Sequence, residues 1–290
     1  MPDLSSSQPV AADVVIAFIG AGNMARSLIA GMRSQGLPGR QLRVADPFAA
    51  VREALARDTG AVAAASNAEA VAGARVIVLA VEPQVMAQVC RELVPALTGD
   101  PVIVSVAAGI DSAQLDAWLG GDRAVVRAMP NTPALRRAGA TGLFANARCS
   151  ADDRALAGQL MAAVGNTVWI QDEDLMDVVT AVSGSGPAYF LRLIEAMQTA
   201  AVERGLSPEA ARQLVLQTAF GAARMALESD ESAGELRQRV TSPGGTTAAA
   251  MDMFSQRQFE DLVDAAIGAA HERGQQLRQQ ARETEGSQRQ

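Results

Sequence analysis

The chain has 290 residues, 49% of them apolar, and its 25 basic and 32 acidic side chains leave a net charge of −7. That size suggests one large or two ordinary domains with ample core, while the acidic balance and 3% aromatic content argue against a nucleic-acid partner. No apolar stretch is long enough to span a bilayer, and residues 1–12 lack the basic start and apolar core of a secretion signal, so a cytoplasmic protein with a short disordered lead is expected.

In chain order, strand-like runs are expected at Val14–Ile19, Leu42–Ala45, Val76–Val81, Val102–Val106 and Ala124–Ala128. Helical patterns lie between them at Met24–Arg33, Ala49–Arg57, Val85–Leu97 and Ser112–Leu119. Apolar runs alternating with helices argue for a parallel sheet covered on both faces. Short strands are expected at Thr141–Asn146 and Thr167–Gln171, with a helix over Ala151–Val164 between them. From about Asp172 the pattern is helical. Pro187–Arg204 has a proline in its first turn and Gly205 beyond its end. Ser207 caps a second helix that runs to about Glu228, and a third covers Ala233–Val240. The last places Phe259, Leu262, Val263, Ala266 and Ala270 on one face, and the polar tail after about Leu277 is expected to fray. The fold class is therefore α/β, with a Rossmann-type dinucleotide-binding domain over 13–171 and an all-helical domain over 172–280.

The run Val-Val-Ile-Ala-Phe-Ile-Gly-Ala-Gly-Asn-Met-Ala (14–25) is an apolar strand that stops at a glycine turn and restarts as a helix. Gly20 permits the turn, Gly22 lets the backbone approach a pyrophosphate, and Ala25 is the small residue that lets helix and sheet pack closely. The helix start that opens at Asn23 and Met24 offers free N–H groups to the phosphates. Asp46 follows the second strand, where such folds place an acid on the adenosine ribose; it can equally initiate an Asp-Pro turn, and Arg52 can instead face a 2′-phosphate. Met-Pro-Asn-Thr-Pro-Ala (129–134) puts a stiff loop with Asn131 at the carboxyl edge of the sheet, where it can pack on a nicotinamide or simply turn the chain. Ser-Gly-Ser-Gly-Pro (183–187) interrupts one helical stretch and starts another, with Thr180 one turn before it. Ser-Pro-Gly-Gly-Thr-Thr (242–247) opens a helix with a glycine pair flanked by hydroxyls. That array suits a carboxylate or phosphate, or merely reverses the chain.

All 25 basic side chains are arginine. The absence of lysine excludes Schiff-base chemistry, P-loop nucleotide hydrolysis and a lysine general acid. The two cysteines, Cys90 and Cys149, are expected as buried free thiols, and no metal site is expected.

Taken together, these segments resemble pyrroline-5-carboxylate reductase. The resemblance rests on 18–25, 129–134, Ala-Val-Ser-Gly-Ser-Gly-Pro-Ala-Tyr-Phe (181–190) and Val-Thr-Ser-Pro-Gly-Gly-Thr-Thr (240–247), in order, over about 14–275. It implies NADPH- or NADH-dependent reduction of 1-pyrroline-5-carboxylate to L-proline. It implies that Ser242, Gly244, Gly245, Thr246 and Thr247 cradle the substrate carboxylate and that Thr180 is the catalytic residue, near the imine nitrogen. Cofactor contacts are implied at Gly20, Gly22, Asn23, Met24, Asp46, Asn67, Ala80, Pro83 and Asn131. The helical domain would form a homodimer that assembles to a decamer, with no nucleic acid or membrane as partner. Two positions depart from the family's pattern: Glu82 replaces a common lysine, and Thr199 stands where aspartate is frequent. A 3-hydroxyacid dehydrogenase on a similar plan would need a lysine general acid. A non-catalytic nucleotide sensor would leave the loop at 242–247 unexplained.

Overall fold

Ile16-Ala17-Phe18-Ile19 forms strand β1 with all four side chains buried, as expected of a central parallel strand covered on both faces. The computed structural model describes residues 14–288; the lead expected over 1–12 lies outside them. Ile16 and Phe18 point into one core layer with Leu28, Met32, Val44 and Val78. Ala17 and Ile19 point into the other with Ile77, Leu79, Met86 and Ile103. Each fully buried side chain of this size contributes roughly 1.5–3 kcal/mol of transfer free energy.

The other strands are β2 (Leu42–Ala45), β3 (Val62–Ala63), β4 (Val76–Leu79), β5 (Val102–Ser105), β6 (Val125–Met129), β7 (Gly139–Ala145) and β8 (Gly165–Trp169). Their order is β3-β2-β1-β4-β5-β6-β7-β8. β1 pairs in parallel with both β2 and β4, so the strand order reverses at its carboxyl end, where such sheets bind ligands. β7 runs antiparallel to β6, because the link from Met129 to Gly139 is too short for a crossover helix. The connection from β7 to β8 holds helix α6 (Ala151–Ala162), and those strands are parallel. Helices α1 (Asn23–Ser34), α2 (Ala49–Thr59), α4 (Pro83–Leu93) and α5 (Ser112–Trp118) are the other expected crossovers. β3 and the five-residue α3 (Asn67–Val71) are additions that periodicity does not signal.

The chain divides into two compact units. The described residues of one are 14–185 and 270–288, and those of the other are 186–269. The compact units part at Gly186. Segment 172–185 stays with the sheet because Glu173 binds Ser112 and Arg127, and Ser183 binds Asn131. It contains α7 (Met176–Val179) and a π-helical turn (Thr180–Gly184); α8 (Gly186–Glu203) follows in sequence. The glycine-serine stretch thus holds a π-helical turn, with a bend at Ser185 before α8 begins.

The second unit holds α8, α9 (Pro208–Leu227), α10 (Ala233–Arg239), α11 (Thr246–Gln256) and the start of α12 (Phe259–Gln288). Its buried apolar side chains are Ala211 and Val215, whereas Phe190, Leu191, Phe220, Leu227 and Leu262 are exposed. So much uncovered apolar surface marks an interaction face. The tail expected to fray after Leu277 is instead helical through Gln288, with Arg278 and Arg282 ion-paired to acids of the first unit.

Candidate active site

The end of β1 is built for close approach. Gly20 has φ +99°, and a Cβ there would lie 2.5 Å from the Ala80 carbonyl oxygen. Only glycine fits. Its N–H donates to Ala45 at 2.8 Å, and the Ala80 N–H donates to Ile19 at 2.8 Å, so the turn is held between β2 and β4. Gly22 caps α1 with extended backbone and no side-chain hydrogen bond, and α1 has no acid in its first turn. A Cβ on Gly22 would meet nothing within 4 Å. The first N–H groups of α1, at Asn23 and Met24, have no intrahelical acceptor and lie at the positive end of the helix dipole. Ala25 is fully buried, as close helix–sheet packing requires.

Asp46 serves this turn directly. Its Oδ2 accepts from Ala21 N–H at 3.0 Å and its Oδ1 from Phe48 N–H at 2.9 Å. Arg52 Nη1 donates to the Asp46 backbone carbonyl at 3.1 Å. Asn67 is the first residue of α3, which follows the Ser66 cap and packs on β1 and β2. Ala80 follows β4 and is half-buried, and Pro83 opens α4. Glu82 is exposed at the N-cap of α4 and gives that helix no side-chain cap.

Asn131 follows β6 and joins three elements. Its Nδ2 donates to the Ser183 carbonyl at 3.0 Å, and its Oδ1 accepts from Ala140 N–H at 3.0 Å. The π-helical turn it holds is closed by Ser185 N–H donating to the Thr180 carbonyl at 2.9 Å. Such turns recur at functional sites. Thr180 is half-buried and its Oγ1 donates to the Met176 carbonyl at 2.9 Å, which leaves the hydroxyl oxygen free to accept. Ser183 Oγ donates to Val179 at 3.0 Å. A Cβ on Gly184 would lie 2.7 Å from Met129 Cε, so the turn fits closely under the β6 end. The structural importance of Ser183 and Asn131 rests on a contact 52 residues apart, which no local pattern announces.

Charges around this edge are mostly paired. Arg127 is buried on β6 and donates to Glu173 at 3.0 Å; Glu173 also accepts from Ser112 N–H and Oγ at 2.7 and 2.6 Å. Burial pushes the Cys90 thiol up to about 12 and the half-buried Cys149 thiol up to about 11, so both are inert as nucleophiles.

The second unit carries the glycine loop at 242–247. Gly244 has φ +69°, and Gly245 N–H donates to Ser242 at 3.0 Å. Gly245 is the N-cap of α11, with extended backbone, no side-chain cap and no acid in the first turn. The N–H groups starting at Thr246 and Thr247 are therefore offered to an anion. Ser242 is exposed and Thr247 half-buried beside them. The structure thus brings the candidate cofactor residues and Thr180 into the first unit, and Ser242 to Thr247 into the second.

Comparison with known proteins matches both units. The family described as pyrroline-5-carboxylate reductase dimerisation matches residues 173–277, and that described as NADP oxidoreductase coenzyme F420-dependent matches 15–109. The pyrroline-5-carboxylate reductase of Pseudomonas aeruginosa is 56% identical over 91% of this chain and 97% of its own length. A pyrroline-5-carboxylate reductase structure from Coxiella burnetii superposes with a TM-score of 0.88 at 40% identity, over 91% of this chain and 98% of that one. Pyrroline carboxylate reductase of Plasmodium falciparum, solved with NADP bound, gives 0.82 at 28% identity, over 93% and 100%. With its sheet, its glycine turn at the end of β1 and this degree of identity, the chain belongs to the pyrroline-5-carboxylate reductase family.

Proposed function

We propose that this chain reduces 1-pyrroline-5-carboxylate to L-proline with NADPH or NADH, the last step of proline biosynthesis. The observation that carries the reading is a glycine N-cap on one helix in each unit, Gly22 on α1 and Gly245 on α11. α1 behind Gly20 and Gly22, and α11 behind Gly244 and Gly245, each lack a side-chain cap and a first-turn acid. The first suits a pyrophosphate, the second a carboxylate. A Cβ at Gly22 would meet nothing within 4 Å, so approach to this turn is unobstructed there, and the Plasmodium relative holds NADP.

Gly20, Gly22, Asn23 and Met24 hold the pyrophosphate. Asp46 and Asn67 serve the adenosine end, and Ala80, Pro83 and Asn131 complete the edge. When bound there, NAD(P)H would supply the hydride for the imine carbon. Ser242, Gly244, Gly245, Thr246 and Thr247 hold the substrate carboxylate. Thr180 already donates its hydroxyl hydrogen to Met176, so it meets the substrate as an acceptor. An acceptor suits an imine that arrives protonated from water: its N–H needs orientation, not a proton. The protein's contribution is then chiefly the placing of two reactants.

The exposed apolar side chains of 186–269 support a homodimer through the helical unit, and we read the full assembly as a decamer in the cytoplasm. Among the described residues, no helix is long and apolar enough to cross a membrane.

Purified protein mixed with the imine is expected to consume NAD(P)H and yield L-proline. Cofactor binding without turnover would defeat the reading. Sedimentation at the mass of ten 30.1 kDa chains supports the decamer, and a lone dimer rejects it.

A further inference from the structure

Arg278 and Arg282 lie one turn apart at the outer end of α12, and both face acids of the sheet-bearing unit. Arg278 Nη1 donates to Asp174 at 2.7 Å, and its Nε lies 3.1 Å from Asp177 Oδ2. Arg282 Nε and Nη2 both donate to Asp111 Oδ2, at 2.9 and 2.5 Å. The backbones also approach closely. A Cβ on Gly109 would lie 3.7 Å from Arg278 N, and one on Gly274 3.8 Å from Asp177 Cβ.

These contacts differ in weight. Asp174 is exposed, and a pair of that kind contributes little. Asp177 is 3% exposed, and its Oδ2 has no aligned hydrogen bond among the described residues, so the Arg278 charge is its compensation. Removing one partner of a buried pair is strongly unfavourable. Asp111 is also buried and caps α5, directly after the Gly109 turn that leaves the carboxyl end of β5. Asp177 lies three residues before Thr180 on one continuous helical path. The α12 end therefore grips two elements of the same edge: the loop after β5 and the helix that delivers Thr180.

We infer that the end of the last helix is a positioning strap, in which Arg278 and Arg282 set the Thr180 turn against the β5 loop. The inference rests on the assignment of Thr180 to the imine. Neither arginine is assigned a contact with substrate or cofactor. Their effect is on the placement of Thr180, where a shift of about 1 Å can cost up to roughly 100-fold in rate. The cofactor turn at Gly20 and Gly22 is held by other contacts, so its affinity is independent of the strap.

The test compares full-length Arg278→Met, Arg278→Lys, Arg282→Gln and Thr180→Ala in steady-state assays with 1-pyrroline-5-carboxylate and NADPH. Amide exchange over 181–185 is followed in parallel. Arg278→Met is expected to lower kcat about 10-fold while the NADPH KM stays within about two-fold, and to speed exchange in the turn. Arg278→Lys should restore part of the rate, and Arg282→Gln should lose about two- to four-fold. If Arg278→Met does not fold, Arg278→Lys and Arg282→Gln carry the test. Unchanged kcat in folded arginine variants, with Thr180→Ala impaired, overturns the strap. Normal turnover in Thr180→Ala instead overturns the assignment of Thr180, and exchange over 181–185 then decides the strap by itself: faster exchange supports it, unchanged exchange rejects it.

Discussion

Asn131 holds Ser183: the side-chain Nδ2 of one donates to the backbone carbonyl of the other at 3.0 Å. The same amide accepts from Ala140 N–H at 3.0 Å, so one side chain fixes the end of β6, the start of β7 and the turn that carries Thr180. Asn131→Ala removes both bonds and leaves the two backbone groups without their partner. A stability loss of about 1–3 kcal/mol is expected from that change. Because the turn is loosened, kcat should fall more than the NAD(P)H KM rises. Thermal melting and steady-state kinetics check both; a variant with unchanged kcat would reduce Asn131 to a structural tie.

Thr180 should act through its oxygen as an acceptor. Thr180→Ser keeps the hydroxyl and the bond to Met176, so most of the rate should survive. Thr180→Ala removes the acceptor, and a kcat loss on the order of 10²-fold or less is expected, because the imine can arrive protonated. The loss should also persist at lower pH, where more of the imine is protonated, since orientation is what is missing. Full recovery in acid would instead assign Thr180 to proton delivery.

Much of this site is legible in the residues alone, for identifiable reasons. A glycine after a short apolar run predicts the turn at Gly20, and its positive φ and contact with Ala80 are the physical content of that prediction. The alternating core of β1 and the parallel order around it follow from the same runs. The π-helical turn is not legible. It differs from an α-turn by one residue of hydrogen-bond register, and a Ser-Gly-Ser-Gly string reads as a break. α3 is five residues long, too short to show a period. The end of α12 has no apolar stripe; the partners of its arginines, Asp111, Asp174 and Asp177, are far away in the chain. Asp46 was legible as an acid after β2, but its use by the N–H groups of Ala21 and Phe48 emerges only when the turn is built.

The loop at 242–247, proposed to hold the substrate carboxylate, concentrates its conformational demand at Gly244. Its φ is +69°, whereas Gly245 has φ −83°, a value any residue adopts. Gly244→Ala should therefore cost about 1 kcal/mol in the loop's own conformation. The expected result is a several-fold rise in the imine KM with the NAD(P)H KM unchanged. A rise confined to NAD(P)H would place the loop on the cofactor instead.

The Arg75–Asp153 pair gives a defined pH signature. Burial works to raise Asp153, but hydrogen bonds from Arg75 and Ser150 outweigh it and hold the carboxyl below its ordinary value of 3.8. A carboxyl lowered in the folded state adds stability that is full above its unfolded value and is lost as pH falls through the folded one. Arg75→Met should thus cost about 1 kcal/mol at neutral pH. The gap between variant and parent should close in acid below the ordinary carboxylate value. Urea unfolding across that range checks it; a gap that stays constant would mean that packing of the Arg75 stem is what was lost.

Asp46 is expected to bear on cofactor choice through two opposing effects. If Asp46 serves the adenosine end as proposed, its carboxylate disfavours a 2′-phosphate there, and exposed Glu82 adds a further negative charge to this face. Yet both Asp46 oxygens already accept backbone N–H groups and stabilise the Ala21 turn. Arg52 spends one nitrogen on the Asp46 carbonyl and remains a cation in the same place. Asp46→Ser removes the charge and keeps a short acceptor for the turn. Both cofactors should bind less well as the turn loosens, but NADH more so, because NADPH gains from the lost repulsion and from Arg52. The ratio of kcat/KM for NADPH over NADH should therefore rise, by about 10-fold for each 1.4 kcal/mol of repulsion relieved. An unchanged or reversed ratio, with both cofactors weakened equally, would make Asp46 a turn residue alone and leave the choice to groups further along the edge.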